Sequence, residues 1–172
     1  MATVSYVTTE QAGPEVQATY EKVRQQMGNV LHMFEALAHN PMLMQTFIAL
    51  DGAAGKTHLD GRLRDLAYLK VSSLNGCCYC QHYHTLFGKK GGLTQQQIDQ
   101  VSSTEDSDVY DNLQRDVLRY AEQVTCTIRP EPALVERLKQ RLSDPELMEL
   151  TFTIGLANLT NRFNEALGIE LP

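Results

Sequence analysis

Apolar residues recur three and four positions apart along nearly the whole chain, as at Val16, Tyr20, Val23 and Met27. That spacing lines them up on one face of an α-helix, and no segment sustains the period-two alternation of a half-buried strand. The pattern predicts an all-α protein. Helix starts carry their own marks: Gly13-Pro14, Asn40-Pro41, Asp60, and the run Ser143-Asp144-Pro145-Glu146, each a capping residue or a proline placed where the first turn wants it. With these marks the spacing predicts helices near 14–28, 30–38, 41–54, 60–74, 78–89, 94–102, 109–127, 132–142 and 145–166.

The breaks between helices are short. Asn75-Gly76 closes the helix that carries Leu63, Leu66, Ala67, Val71 and Leu74, because glycine readily takes the left-handed conformation of a helix end. Gly91-Gly92 closes the next one, and Thr94 with Gln97 has the spacing of a capping box. The polar, acidic stretch from Ser102 to Asp108 reads as an exposed turn. It is too short to separate two domains, so a single helical bundle spanning 1–172 is expected.

A chain of 172 residues with 42% hydrophobic and 21% charged residues is long enough to bury a core without staples, and its usage is that of a soluble globular protein. The net charge of −6 comes with no cluster of Lys and Arg, which argues against a nucleic-acid partner. The N-terminal residues lack the basic start and apolar core of a signal peptide, and no apolar run reaches the length of a membrane span. A cytoplasmic location is therefore expected, with no membrane association. In such a reducing compartment, closely spaced cysteines point to metal binding or redox catalysis more than to a structural framework.

Of the four cysteines, three lie in the stretch Leu74-Asn75-Gly76-Cys77-Cys78-Tyr79-Cys80-Gln81-His82-Tyr83-His84. On a helix starting near 77, Cys77, Cys80 and His84 share a face at spacings of three and four, while Cys78 and His82 point elsewhere. A cysteine in the first turn meets unpaired N–H groups and the positive helix end, which lower a thiol pKa and favour Cys77 as the acidic thiol. An imidazole one turn beyond Cys80 can accept that thiol's proton, which favours Cys80 instead. The two arguments conflict, and spacing does not choose between them. Either way the pair can cycle between dithiol and disulfide. Two other accounts stand beside redox chemistry: a zinc half-site of Cys77, Cys80 and His84, which lacks a fourth ligand and a second paired motif, and cysteines that are merely buried.

The run Leu63-Arg64-Asp65-Leu66-Ala67 through Cys77-Cys78-Tyr79-Cys80 to His84 resembles the core of the AhpD-like alkylhydroperoxidase family, within the carboxymuconolactone decarboxylase superfamily of small all-helical proteins. The likeness is densest over 60–92 and extends to His39-Asn40-Pro41 and Asn161-Arg162-Phe163-Asn164. It implies an AhpD-like helical bundle that reduces hydroperoxides without a metal or organic cofactor, drawing electrons from a dithiol partner such as a lipoyl or thioredoxin-like protein. Carried over by position, Cys80 is the peroxide-attacking thiol and Cys77 the resolving thiol that pairs with it as the redox disulfide. His84 is the proton relay. Asp65 stands where the family usually has a glutamate, one methylene longer, and its relay role depends on whether the shorter carboxylate reaches the imidazole. The resemblance also implies assembly as trimers or hexamers. A redox-responsive adaptor with little turnover, and a decarboxylase of the wider superfamily, are the alternatives to a peroxidase or disulfide reductase.

Outside that core the residues invite structural accounts. Tyr79 and Tyr83 flank the cysteines and are expected to shape a substrate pocket or the core. Cys78 and His82 are expected to pack nearby, Cys126 to be a small buried hydrophobe at a helix end, and His58 to lie in a loop. His32 and His39 have no partner that the sequence identifies.

Overall fold

The structure, a computed structural model, describes residues 1–103 and 108–171. Among the described residues it is all helix and turn: α1 (Pro14–Met27), α2 (His32–Leu37), α3 (Pro41–Ala54), α4 (Gly61–Leu74), α5 (Cys78–Lys90), α6 (Gln95–Asp99), α7 (Asn112–Thr127), α8 (Pro132–Lys139) and α9 (Asp144–Leu167). Most of the predicted marks act as expected. Asn40 caps α3 by accepting from the Leu43 N–H, Asp60 caps α4 through the Arg62 N–H, and Thr94 with Gln97 forms a complete capping box on α6. Helix α6 is shorter than its apolar pattern and α7 starts later, because Asp111 and Gln114 form a second capping box that sets the start at Asn112. The turn predicted over 102–108 lies outside the described residues at 104–107.

The helices pack into two units, one of residues 1–55 with the chain from 164 onward, the other Lys56–Phe163. In the first, α3 packs on α1 and α2. Tyr6 stacks on His32 at 4.4 Å between ring centres, and the His32 Nδ1 lies 2.8 Å from the Glu170 carbonyl. His39 reaches the Ser5 carbonyl at 2.8 Å. Both histidines thus have partners in the N- and C-terminal segments, a pairing across the chain that sequence spacing cannot reveal.

The second unit is organised around α4, which packs against α5 and α7. Leu66, Leu69, Leu93, Ile98, Val101, Tyr110 and Leu118 form a continuous buried cluster there. From Leu63 to Ser72 only Arg64 escapes burial, so α4 is enclosed on nearly every face, and its polar side chains must find partners inside. They do: Lys70 pairs with Glu122 of α7 at 2.8 Å, Asp65 with Arg64 at 3.3 Å, and the Ser72 hydroxyl accepts from Asn161 of α9 at 3.2 Å. Gly76, at φ +68°, makes the left-handed step from α4 into α5 that a side chain would resist. Two further glycines bring α5 close. A Cβ on Gly88 would meet a Leu93 methyl at 2.8 Å, and one on Gly91 would meet the Asp65 carboxylate at 2.9 Å. Among the described residues no helix is long and apolar enough to cross a membrane.

Candidate redox site

Helix α5 begins at its chemistry. Cys77 occupies the N-cap position in extended conformation, its N–H donates to the Ser72 carbonyl at 3.0 Å, and its sulfur accepts the Cys80 N–H at 3.2 Å. Sulfur thus takes the place of the usual oxygen in capping a helix start. Cys77 and Cys80 are joined as a disulfide with their Cα atoms 5.3 Å apart, a separation within the ordinary range for such bonds. Both residues are buried, Cys77 at 0% exposure and Cys80 at 4%. Of the two, Cys80 is the one that solvent touches at all.

One turn on, His84 lies flat against Tyr68 of α4, with ring centres 3.4 Å apart and planes 13° from parallel, and the edge of Phe87 closes its other side at 5.5 Å. The Tyr68 hydroxyl bonds to the Thr160 hydroxyl of α9, which fixes the ring that His84 leans on. The His84 Nδ1 is buried without a hydrogen-bond partner. Burial, with the Arg64 guanidinium adding repulsion, lowers the imidazole to about 3, so the ring is neutral across the physiological range. A buried, unbonded imidazole nitrogen costs ~1–3 kcal/mol, and such a vacancy in a folded protein calls for an explanation.

Asp65 has a different partner, Arg64. Its Oδ1 accepts from Nε and Nη2 of Arg64 at 3.4 and 3.3 Å. Since the His84 Nδ1 has no partner, Asp65 makes no direct bond to that nitrogen. Burial pushes its carboxyl above the ordinary carboxylate range, and Arg64 opposes that shift. The predicted acid is thus bonded to a guanidinium, while the predicted base keeps an unbonded Nδ1.

The other predicted residues divide. Tyr79 is buried and Tyr83 half-buried, with ring centres 4.9 Å apart, so the two rings pack on each other along α5. Cys78 and Cys126 are free and exposed, which corrects the expectation of packing residues: each falls on the outward side of its helix. His82 is likewise exposed, edge-on to Tyr83 at 5.1 Å. His58 does lie in a bend, bonded through Nδ1 to Glu149 at 2.8 Å, while the same carboxylate accepts the His58 and Leu59 N–H groups. A zinc site would need both thiolates and the imidazole aimed at one point. Here the sulfurs are bonded to each other, and among the described residues no three His, Cys, Asp or Glu side chains converge in that way.

Sequence reasoning missed the residues that hold this arrangement. Asn161, wholly buried, donates to the Ser72 hydroxyl and accepts from Asn75 at 3.0 Å, and Asn75 also donates to Asn158 at 3.0 Å. The Ser72 carbonyl takes both the Cys77 N–H and the Gln81 amide. A signal was present: Arg64, Tyr68, Ser72 and Asn75 recur at spacings of four, four and three, a stripe of hydrogen-bonding side chains along one side of α4.

Comparison with known proteins places this geometry in context. The profile of the carboxymuconolactone decarboxylase family matches residues 41–123, a span that includes α4, α5, both bonded cysteines and His84. A protein of unknown function from Agrobacterium tumefaciens, a candidate antioxidant defence protein AhpD, is 27% identical, with TM-score 0.74 over 78% of this chain and 93% of that one. An uncharacterized peroxidase-related protein from Ralstonia eutropha JMP134 with an alkylhydroperoxidase AhpD core superposes with TM-score 0.88 at 20% identity, over 99% of this chain and 92% of the other. The debrominase Bmp8, solved with 2,3,4-tribromopyrrole, gives TM-score 0.85 at 17% identity, over 100% of this chain and 94% of that one. The last two establish the shared AhpD-core helical fold.

Proposed function

We propose that the chain, whose residues 41–123 match the carboxymuconolactone decarboxylase family and whose fold is that of an AhpD core, is a thiol-dependent oxidoreductase that reduces organic hydroperoxides, working in the cytoplasm. The supporting observation is the Cys77–Cys80 disulfide at the start of α5, one turn before an imidazole whose buried nitrogen has no partner. In the proposed cycle the Cys80 thiolate attacks the distal oxygen of a hydroperoxide, the O–O bond breaks, and Cys80 becomes a sulfenic acid while an alcohol leaves. The Cys77 thiol then attacks the Cys80 sulfur, forming the disulfide and releasing water. A dithiol reductant, lipoyl or thioredoxin-like, supplies two electrons and two protons by exchange and leaves as its own disulfide. Neutral His84 is positioned to accept the thiol proton of Cys80, four residues before it on the same helix.

The test follows hydroperoxide consumption coupled to a dithiol donor. Wild type turns over; Cys80→Ser abolishes consumption and gives no sulfenic acid; Cys77→Ser performs one turnover and leaves a sulfenic acid on Cys80 that a dimedone-type probe traps. A wild-type protein that consumes no hydroperoxide with lipoyl, thioredoxin-like or small dithiol donors sinks the peroxidase assignment. One observation favours a second reading. Neither bonded cysteine is exposed beyond 4%, so a protein reductant reaches the disulfide only if its cover opens. A redox-responsive adaptor makes use of that slowness, and it would show a change of partner binding on reduction in place of turnover.

A further inference from the structure

Helix α5 carries the disulfide at its start and shows solvent one stripe along its length. Cys78, His82, Leu86 and Lys89 follow one another at spacings of four, four and three, which lines them up on one side of a helix, and all four are exposed. Phe87 and Lys90 flank the stripe at its far end. Leu86 is 50% and Phe87 39% exposed, and the Phe87 ring also stands edge-on to His84. From Leu66 to Ile98 the chain holds no Asp or Glu, where its average content would put about four. The same span holds three lysines. Lys70 is buried against Glu122, but Lys89 and Lys90 are exposed and join no ion pair among the described residues. Lysines in a last turn suit the helix dipole. The dipole asks for nothing in the residues before them, so the missing acids are a separate feature.

We propose that this face of α5 is the docking surface for the reductant, and that the reductant is a protein whose dithiol is bordered by acidic residues. The proposal rests on the reading that a dithiol opens the Cys77–Cys80 disulfide. Neither bonded cysteine is exposed beyond 4%, so the donor must settle on the surface around the start of α5 before exchange. With a net charge of −6 the chain as a whole repels an acidic protein, and a local positive end turns that protein so that its acids meet Lys89 and Lys90. Leu86 and Phe87 supply apolar area between that end and the disulfide. The 13 residues of α5 span about 20 Å, inside the footprint of roughly 800 Å² that each partner gives to a standard interface. Once docked, a donor thiolate attacks one sulfur of the disulfide, forming a mixed disulfide and releasing the other sulfur as a thiolate. The donor's second thiol then displaces it, so the donor leaves as a disulfide and two electrons stay on the cysteines.

The measurement is the rate at which synthetic dithiol peptides reduce the oxidised full chain, followed by thiol titration of quenched samples. Three peptides share one Cys-Gly-Pro-Cys core and differ only in flanks of about six glutamates, serines or lysines, long enough to reach about 20 Å. Each rate is divided by the same peptide's rate with a small neutral disulfide, which removes the effect of the flanks on thiol reactivity. Wild type favours the acidic peptide over the basic one at least about tenfold at low salt, and the ratio falls toward one near about 1 M salt, where the screening length is about 3 Å. Lys89→Gln with Lys90→Gln abolishes the preference, and Lys89→Glu with Lys90→Glu inverts it. Dithiothreitol, which is uncharged, reduces wild type and both variants at one rate, the control for fold and site. Equal normalised rates for the three peptides, or a preference that survives in the double glutamate variant, would overturn the docking proposal while leaving the redox reading in place. A disulfide that neither the peptides nor dithiothreitol open would overturn both. Reduction needs no peroxide, so neither outcome depends on which oxidant the protein meets.

Discussion

His84 makes stability depend on pH in a direction that can be worked out in advance. In the unfolded chain its imidazole takes up a proton near 6.5; in the folded protein burial and Arg64 hold it to about 3. Between those values the unfolded state binds more protons, so stability is full above about pH 6.5 and falls as pH drops toward the folded value. From pH 7 to pH 5 the loss is about 2 kcal/mol, and from pH 7 to pH 4 about 3 kcal/mol. Asp65 acts in the opposite sense. Burial raises its folded pKa, so protonating it as pH falls favours the native state, and the raw curve blends the two. The clean measurement is a difference: urea unfolding at pH 4, 5, 6, 7 and 8 for wild type and His84→Gln, both kept oxidised. Glutamine keeps a polar side chain against Tyr68 but does not titrate, and every other group cancels on subtraction. The gap between the proteins should change by about 2 kcal/mol between pH 7 and pH 5, in favour of the variant at low pH. Two parallel curves would show that the imidazole titrates alike in the folded and unfolded chains, and the argument from its burial would fail.

Three further outcomes follow from the same packing. Asn161→Leu keeps the volume but removes the bonds to Ser72 and Asn75, so unfolding free energy should fall by about 1–3 kcal/mol, and re-formation of the disulfide after reduction should slow, as read by thiol titration against time. Lys70, 2% exposed, pairs with Glu122, which is 46% exposed; Lys70→Met should change stability by no more than about 1 kcal/mol, whereas Glu122→Ala leaves a buried ammonium with only the Ser102 carbonyl at 3.4 Å and costs about 2–3 kcal/mol in a denaturant titration. Reduction of the disulfide should raise the titration point of His84 in a proton or nitrogen NMR pH series, because a thiolate then lies one turn away; an identical titration in both redox states would refute the coupling.

What the sequence carried and what it hid separate along physical lines. Helix starts were legible because caps are local: Asn40, Asp60, Thr94 and the Asn75-Gly76 step each act through residues within four positions. The shared face of Cys77 and Cys80 was legible for the same reason. Contacts between distant segments were not. Nothing near His84 in the chain announces Tyr68, sixteen residues earlier. The exposure of Cys78 and Cys126 was missed because cysteine is on average a buried residue, and an average says nothing of which side of a helix faces out.

Under the proposed cycle the N-cap geometry and the imidazole bear on different steps. Cys77 is the cap itself, and its sulfur accepts an N–H of the first turn, the interaction that stabilises an anion at a helix start. Cys80 lacks that position but has His84 one turn away. An imidazole lowered to about 3 is a weak base beside a disulfide, where no negative charge rewards its protonation. After reduction a thiolate about 6 Å away contributes on the order of 3 kcal/mol at an effective dielectric of 20, enough to offset a large part of the burial penalty. In the proposed cycle the ring therefore becomes a useful proton acceptor only when the pair is reduced, which is when that cycle meets its peroxide. Once the disulfide forms, that charge is gone and the ring gives its proton back. The two arguments that compete on spacing alone thus describe different steps: the helix start favours a Cys77 thiolate when exchange with a reductant begins, and His84 favours a Cys80 thiolate when oxidation begins.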